Sequence, residues 1–216
     1  MSYEIVKSGQ SKSFPADHDF TRGAVEGGKG LCYLGTDAGQ AYAKGTEHHT
    51  RVFVAIELDT ECLGLHTGEE SGLEGSNVVG FARYRLGKGE PTSLVELVKQ
   101  PNTNSEALDA AKMAFEAANL NVAICNDFPG RIIDRLIRPY FNAALRRLDE
   151  KLASAADLDK TLCLGLGYPE GPIALLERTG LADHCRVTRA LFESLGQEAY
   201  SPARRAVVAA ERARNS

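Results

Sequence analysis

The stretch "NDFPGRIIDRLIRPYFNAAL", residues 126–145, opens on a Pro-Gly turn former and runs on with apolar residues at helical spacing. Pro129 can occupy the first turn of a helix without losing a hydrogen bond. Ile133, Leu136, Ile137, Tyr140, Phe141, Ala144, Leu145 and Leu148 then trace an apolar stripe along about five turns at 3.6 residues per turn. Such a helix is expected to be buried lengthwise. Downstream, Ser154 and Asp157 have the spacing to cap a second helix carrying Leu158, Leu162 and Leu166. Pro169 and Gly171-Pro172 restart the chain into "IALLERT", with Gly180 as its stop signal, and "LADHCRVTRALFESL", residues 181–195, makes the next helix. Ser201-Pro202 supplies a cap and a first-turn proline for the last. No strand signal follows Pro129, so residues 126–216 are predicted to form an all-helical domain. Its stripes exceed what one helix pair can cover.

Upstream the periodicity changes. "RVFVAIEL" (residues 51–58), "NVVGFARY" (77–84) and "TSLVELV" (92–98) are rich in β-branched residues and read as strands. Thr103 and Glu106 have capping-box spacing, Leu108, Ala111, Phe115 and Ala118 follow on one face, and Asn119 is suited to end that helix. "NVAIC", residues 121–125, reads as a short buried strand, which completes an α/β layer within residues 1–125. Residues 1–30 are polar and Gly-rich without a sustained period and are expected to be loop or arm.

With 216 residues, 43% of them hydrophobic, the chain can bury a sizeable core. A formal charge of −4 gives no general attraction to phosphate backbones or anionic lipid, so neither nucleic acid nor membrane is an expected partner. No apolar run reaches the ~20 residues of a membrane span and the first 25 residues hold no signal-peptide core, which predicts a cytoplasmic protein. Five cysteines without C-x-x-C spacing argue against a disulfide framework or zinc ribbon and read as small buried thiols. His48 and His49 are neighbours before a strand, where they would point to opposite faces and could not share a metal.

The residues Asn126-Asp127-Phe128-Pro129-Gly130-Arg131, together with "ADLDKTLCLGLGYPEGPIALLERTGLADH" (156–184), resemble the helical C-terminal domain of the 3-hydroxyacyl-CoA dehydrogenases. The likeness extends back through residues 78–127. It implies a truncated Rossmann-like α/β layer followed by an all-α domain that dimerises, oxidation of 3-hydroxyacyl-CoA to the 3-keto compound, and NAD as cofactor.

The residues that would carry that chemistry are substituted. A dinucleotide seat needs G-x-G-x-x-G after a first strand, because only glycine lets the backbone approach the pyrophosphate. The nearest cluster, Gly28-Lys29-Gly30-Leu31-Cys32-Tyr33, has Tyr33 for the third glycine, no apolar strand before it and no helix expected between Gly30 and "TDAGQAYAKG", and it reads as a flexible turn. The resemblance puts Ala82 where the family has its histidine base, Arg85 where an asparagine follows, and Glu96 where the histidine's glutamate partner lies. It also aligns Asp134 with a substrate-orienting asparagine and Glu61 with a serine near the cofactor. Asp134 could equally pair with Arg131 or Arg135.

Two readings follow. In the first, the chain is an acyl-CoA-related or architectural relative without stand-alone NAD-dependent hydride transfer, and no cofactor site is expected. In the second, it is an active NAD-dependent 3-hydroxyacyl-CoA dehydrogenase using Glu96 or Asp134 as base, with a partner supplying the nucleotide site. A homodimer through the helices is expected in either case. Arg204, Arg205, Arg212 and Arg214 of the last stretch read as a solvated helix face.

Overall fold

The computed structural model describes residues 1–46, 48–68 and 76–215. The chain divides into two compact units, one made of residues 1–85 and 91–131, the other of residues 86–90 and the chain from Ile132 onward.

The first unit is a sheet covered on both faces. It runs β1 (Tyr3–Lys7), α1 (Asp19–Arg22), β2 (Gly30–Leu34), α2 (Ala38–Lys44), β3 (Phe53–Glu57), α3 (Gly64–Thr67), β4 (Val78–Arg83), β5 (Leu94–Lys99), α4 (Ser105–Glu116) and β6 (Asn121–Asn126). The six strands lie side by side in sequence order. β1 to β4 are parallel, β5 turns back antiparallel to β4, and β6 pairs parallel with β5. Cys32, Leu34, Ala55, Phe81 and Leu97 face a layer made by Phe20 of α1 and Ala111 and Phe115 of α4. Leu31, Tyr33, Val54, Ile56 and Val98 face the other way, onto Ala38 of α2 and Leu63. Every residue of β2 and β3 is buried, as expected for parallel strands covered on both sides.

Several expectations are corrected here. Residues 1–30 are not an arm: they hold β1 and α1, pinned by the Tyr3 hydroxyl donating to Phe20 O at 2.6 Å and by Phe20 stacking on Tyr3 and Phe115. Three aromatic anchors at irregular spacing hold this segment, and irregular spacing leaves no period to read. Gly30 begins a strand instead of lying in a flexible turn, and the strand β1 does precede Gly28. The N-cap of α4 is Asn104, whose side chain accepts from Glu106 N at 2.8 Å, while Thr103 Oγ1 accepts from Gln100 N. As the last strand of the sheet, β6 is only partly covered, with Ile124 42% exposed.

The second unit carries α5 (Ile132–Asp149), α6 (Ala155–Leu166), α7 (Pro172–Thr179), α8 (Leu181–Leu195) and α9 (Arg204–Arg214). Its loop of residues 86–90 docks by Lys88 N donating to Thr179 O at 2.8 Å. α5 starts three residues after Pro129, past Gly130 at φ +74°. The face it buries is Asp134, Arg138, Phe141, Asn142 and Leu145, a quarter turn off the predicted stripe, and Leu136 is 72% exposed. Pro139 sits inside α5 and offers no N–H to the carbonyl of Arg135 four residues back. The Tyr200 hydroxyl takes that orphaned carbonyl at 2.9 Å.

The "YPEGP" motif also has a physical reason. Asp159 of α6 caps α7, its two carboxylate oxygens accepting from Ile173 N and Ala174 N, each at 2.9 Å. A Cβ on Gly171 would stand 2.2 Å from the Asp159 side chain, so only glycine fits there. Ser154 caps α6 as predicted, accepting from Asp157 N at 3.1 Å, whereas the last helix starts at Arg204 behind Ala203, two residues beyond Ser201-Pro202.

Candidate functional site

Ala82 and Glu96, the two positions that the resemblance pairs as base and partner, stand directly opposite one another in the β4–β5 register. Across β5 the in-register neighbour of Glu96 is Ala123. Glu96 is buried, 2% exposed, on the sheet face that also carries Val98 and Cys125. Burial pushes the Cys125 thiol up to about 11, and the charges of Glu96 and Asp127 add to that while Arg131 opposes it, so this thiol stays protonated. The site is therefore a buried carboxylate flanked in the sheet by two methyl groups.

Glu61 lies in the segment that leads into α3. Burial pushes its carboxyl up, but the His66 imidazole beside it and the backbone N–H groups of Glu61 and Asp59 outweigh that and hold it below the usual range. His66 Nε2 is 3.7 Å from Glu61 Oε1, longer than a hydrogen bond. The imidazole rests against Gly39 of α2, where a Cβ would lie 2.1 Å from its ring. Asp127, from the Pro-Gly motif, is a clamp: Oδ1 accepts from Leu63 N and Oδ2 from Gly64 N, both at 2.7 Å. The Glu61–His66 pair has no i, i+3 or i, i+4 spacing that would have flagged it in the sequence.

In the helical unit Asp134 pairs with neither Arg131 nor Arg135. Its Oδ1 accepts from Arg138 Nε at 2.7 Å, with the Arg138 side chain fully buried. Arg131 instead donates through Nη2 to the carbonyls of Glu61 and Phe128, and Arg135 Nε donates to the Tyr200 hydroxyl at 3.0 Å. Behind Arg138 lies a buried relay that sequence reading missed. Arg138 Nη1 reaches His184 Nδ1 at 3.3 Å and His184 Nε2 reaches Asn142 Oδ1 at 3.0 Å. Asn142 Nδ2 donates to Thr188 Oγ1 at 2.8 Å, which donates to Tyr200 O at 2.8 Å. Since a guanidinium can only donate, Nδ1 must accept and Nε2 must carry the proton. Burial drives the His184 pKa down to about 3, and the Arg138 charge adds to the effect. The helical unit thus builds a neutral, fully engaged histidine into its core. Among the described residues no group of three His, Cys, Asp or Glu side chains is placed to hold a metal ion. None of their helices is long and apolar enough to cross a membrane.

The family profile described as "3-hydroxyacyl-CoA dehydrogenase, C-terminal domain" matches residues 130–216. Residues 130–216 are thus similar to the C-terminal domain of the 3-hydroxyacyl-CoA dehydrogenases. The chain is 38% identical over 88 residues to the human mitochondrial hydroxyacyl-coenzyme A dehydrogenase, a match covering 41% of this chain and 28% of that one. It is 33% identical over 110 residues to a probable 3-hydroxybutyryl-CoA dehydrogenase of Bacillus subtilis, covering 50% of this chain and 38% of the relative. The matches therefore span well under half the length of these relatives. In fold, 89% of the chain superposes on 68% of the (S)-3-hydroxybutyryl-CoA dehydrogenase of Ralstonia eutropha, with a TM-score of 0.70 at 19% identity. The expected fold class, an α/β sheet layer followed by the family's helical domain, holds.

Proposed function

We propose that this chain is an acyl-CoA-related member of the family that lacks stand-alone NAD-dependent hydride transfer. The observation carrying this reading is the register pair Ala82 and Glu96. A hydroxyl proton must be taken by a group within hydrogen-bond reach, and the position facing Glu96 offers only a methyl group. Glu96 alone is no substitute, being buried within the sheet with alanines on both neighbouring strands. Asp134 already directs an oxygen at a buried guanidinium, which disfavours the alternative in which it serves as base. A dinucleotide does not fit the residues present either, because the first amide beyond β2, Gly35 N, is already donated to Glu57 Oε2 at 2.6 Å.

The chain acts, in this reading, as a homodimer through its helical unit. Leu136, Leu152, Leu164 and Leu166 are between 67% and 78% exposed, and no residue of α6 is buried. So many large apolar side chains on one unit mark an interaction surface. Light scattering tests the dimer, and a monomer at all concentrations would remove it. Titrating the fluorescence of NADH with purified protein tests the functional reading: no saturable change is expected, and micromolar binding would overturn it.

A further inference from the structure

The connection leaving β1 crosses one face of the sheet, carrying Phe14 and Phe20, while the connection leaving β2 crosses the other, carrying Ala38. Adjacent parallel strands whose outgoing connections part in this way open a crevice between their carboxyl ends, the place where open α/β sheets bind ligands. A phosphate held there would rest on backbone N–H groups of the turn that leads into the next helix. In this chain the crevice is filled from within. Ser8 N donates to Leu34 O at 2.8 Å, and Asp37 N donates to Ser8 O at 3.0 Å. Gly9 and Gly35 have φ of +80° and +112°. A Cβ on Gly9 would lie 2.2 Å from Thr36 Oγ1, and one on Gly35 would lie 2.2 Å from Ser8 O.

The carboxylate of Glu57, the last residue of β3, collects the donors of this corner. Its Oε2 accepts from Gly35 N at 2.6 Å, and its Oε1 accepts from Ser13 N at 2.7 Å and from the Ser11 hydroxyl at 3.0 Å. Two flanking contacts fasten the same segment: Lys12 pairs with Asp59 at 3.1 Å, and Arg83 N donates to Ser13 Oγ at 3.1 Å. Charge-assisted bonds from two amides and a hydroxyl are what a phosphate oxygen would otherwise receive. Asp37, beside the same turn, adds a second negative group that a dinucleotide would meet.

We propose that Glu57 is a built-in anion that occupies the phosphate seat of this sheet and hooks residues 8–14 over it as a strap, excluding nucleotide. The proposal rests on the reading that the chain does not bind NAD by itself, and it supplies the physical cause. Hydrogen exchange of the Ser13 and Gly35 amides, read by mass spectrometry or NMR, tests it, with formate as the probe for an emptied seat. In the native chain both amides exchange at least tenfold more slowly than the exposed turn at Gly27. In Glu57→Ala that protection is lost, and formate restores it saturably while leaving the native protein unchanged.

Fast exchange of the two amides in the native chain would overturn the strap without any variant. So would unchanged protection in Glu57→Ala, or loss of protection that formate does not reverse. NADH binding separates this proposal from the functional reading. Saturable binding to the native chain with Ser13 and Gly35 still protected would place NADH elsewhere on the chain, refuting that reading while Glu57 still closes this seat, whereas binding that deprotects them would refute both.

Discussion

Lowering the pH from 7 to 5 should cost the helical unit about 2 kcal/mol through His184 alone. The ring is fully buried, accepts from Arg138 at Nδ1 and donates to Asn142 at Nε2, so it must be neutral in the folded state. Its folded pKa lies near 3, lowered by burial and by Arg138 from the ordinary value of 6.5. A depressed folded pKa means that the unfolded chain takes up the proton first. The stability that the neutral ring contributes is therefore complete above about pH 6.5 and is lost progressively as pH falls toward about 3. With one pKa unit equal to about 1.4 kcal/mol, the loss is roughly 2 kcal/mol at pH 5 and at most about 5 kcal/mol at the acid end. The assay is urea unfolding followed by circular dichroism at both pH values, for the native chain and for His184→Gln. The amide of Gln can accept from Arg138 and donate to Asn142 without titrating. The variant should show about 2 kcal/mol less pH dependence between 7 and 5, and identical pH dependence of the two proteins would refute the relay.

Asp134→Ala leaves the buried Arg138 without its carboxylate and should destabilise the helical unit by about 3–5 kcal/mol in the same unfolding assay. Combining it with Arg138→Met should recover most of that loss, which a catalytic role for Asp134 would not predict. Gly171→Ala drives a methyl group into Asp159 and should lower stability by about 1–3 kcal/mol, read as a drop in melting temperature. Asp127→Ala strips the amides of Leu63 and Gly64 of their acceptor and should cost about 1–3 kcal/mol for each group left unsatisfied. Exchange of those two amides should rise sharply in that variant, while β2 and β3 stay protected.

Much of the fold was legible in the sequence because the strands and helices of residues 51–214 obey simple periods. The β-branched runs became β3, β4 and β5, and the turn formers at Ser154, Gly171-Pro172 and Gly180 delimit α6, α7 and α8. The face of α5 was misjudged because its buried side is polar: Asp134, Arg138 and Asn142 point inward to meet His184, and Leu136 points out. Hydrophobic periodicity cannot register a core built on satisfied polar groups. Residues 1–30 were unreadable for a related reason, since Phe14 and Phe20 find ring partners in β4 and α4, far along the chain. Glu57 likewise collects donors from Ser11, Ser13 and Gly35, between 22 and 46 residues away. The substitution at Ala82 was legible only through the resemblance of residues 78–127 to the family's pattern, and no local signal announced that Ala82 would stand opposite Glu96.

The most direct test of the central claim is a steady-state assay with acetoacetyl-CoA and NADH, following absorbance of the reduced nicotinamide with the purified chain alone. No turnover above the buffer rate is predicted, and none that distinguishes the native chain from Glu96→Ala. Turnover that saturates in both substrates and disappears in Glu96→Ala would contradict the account.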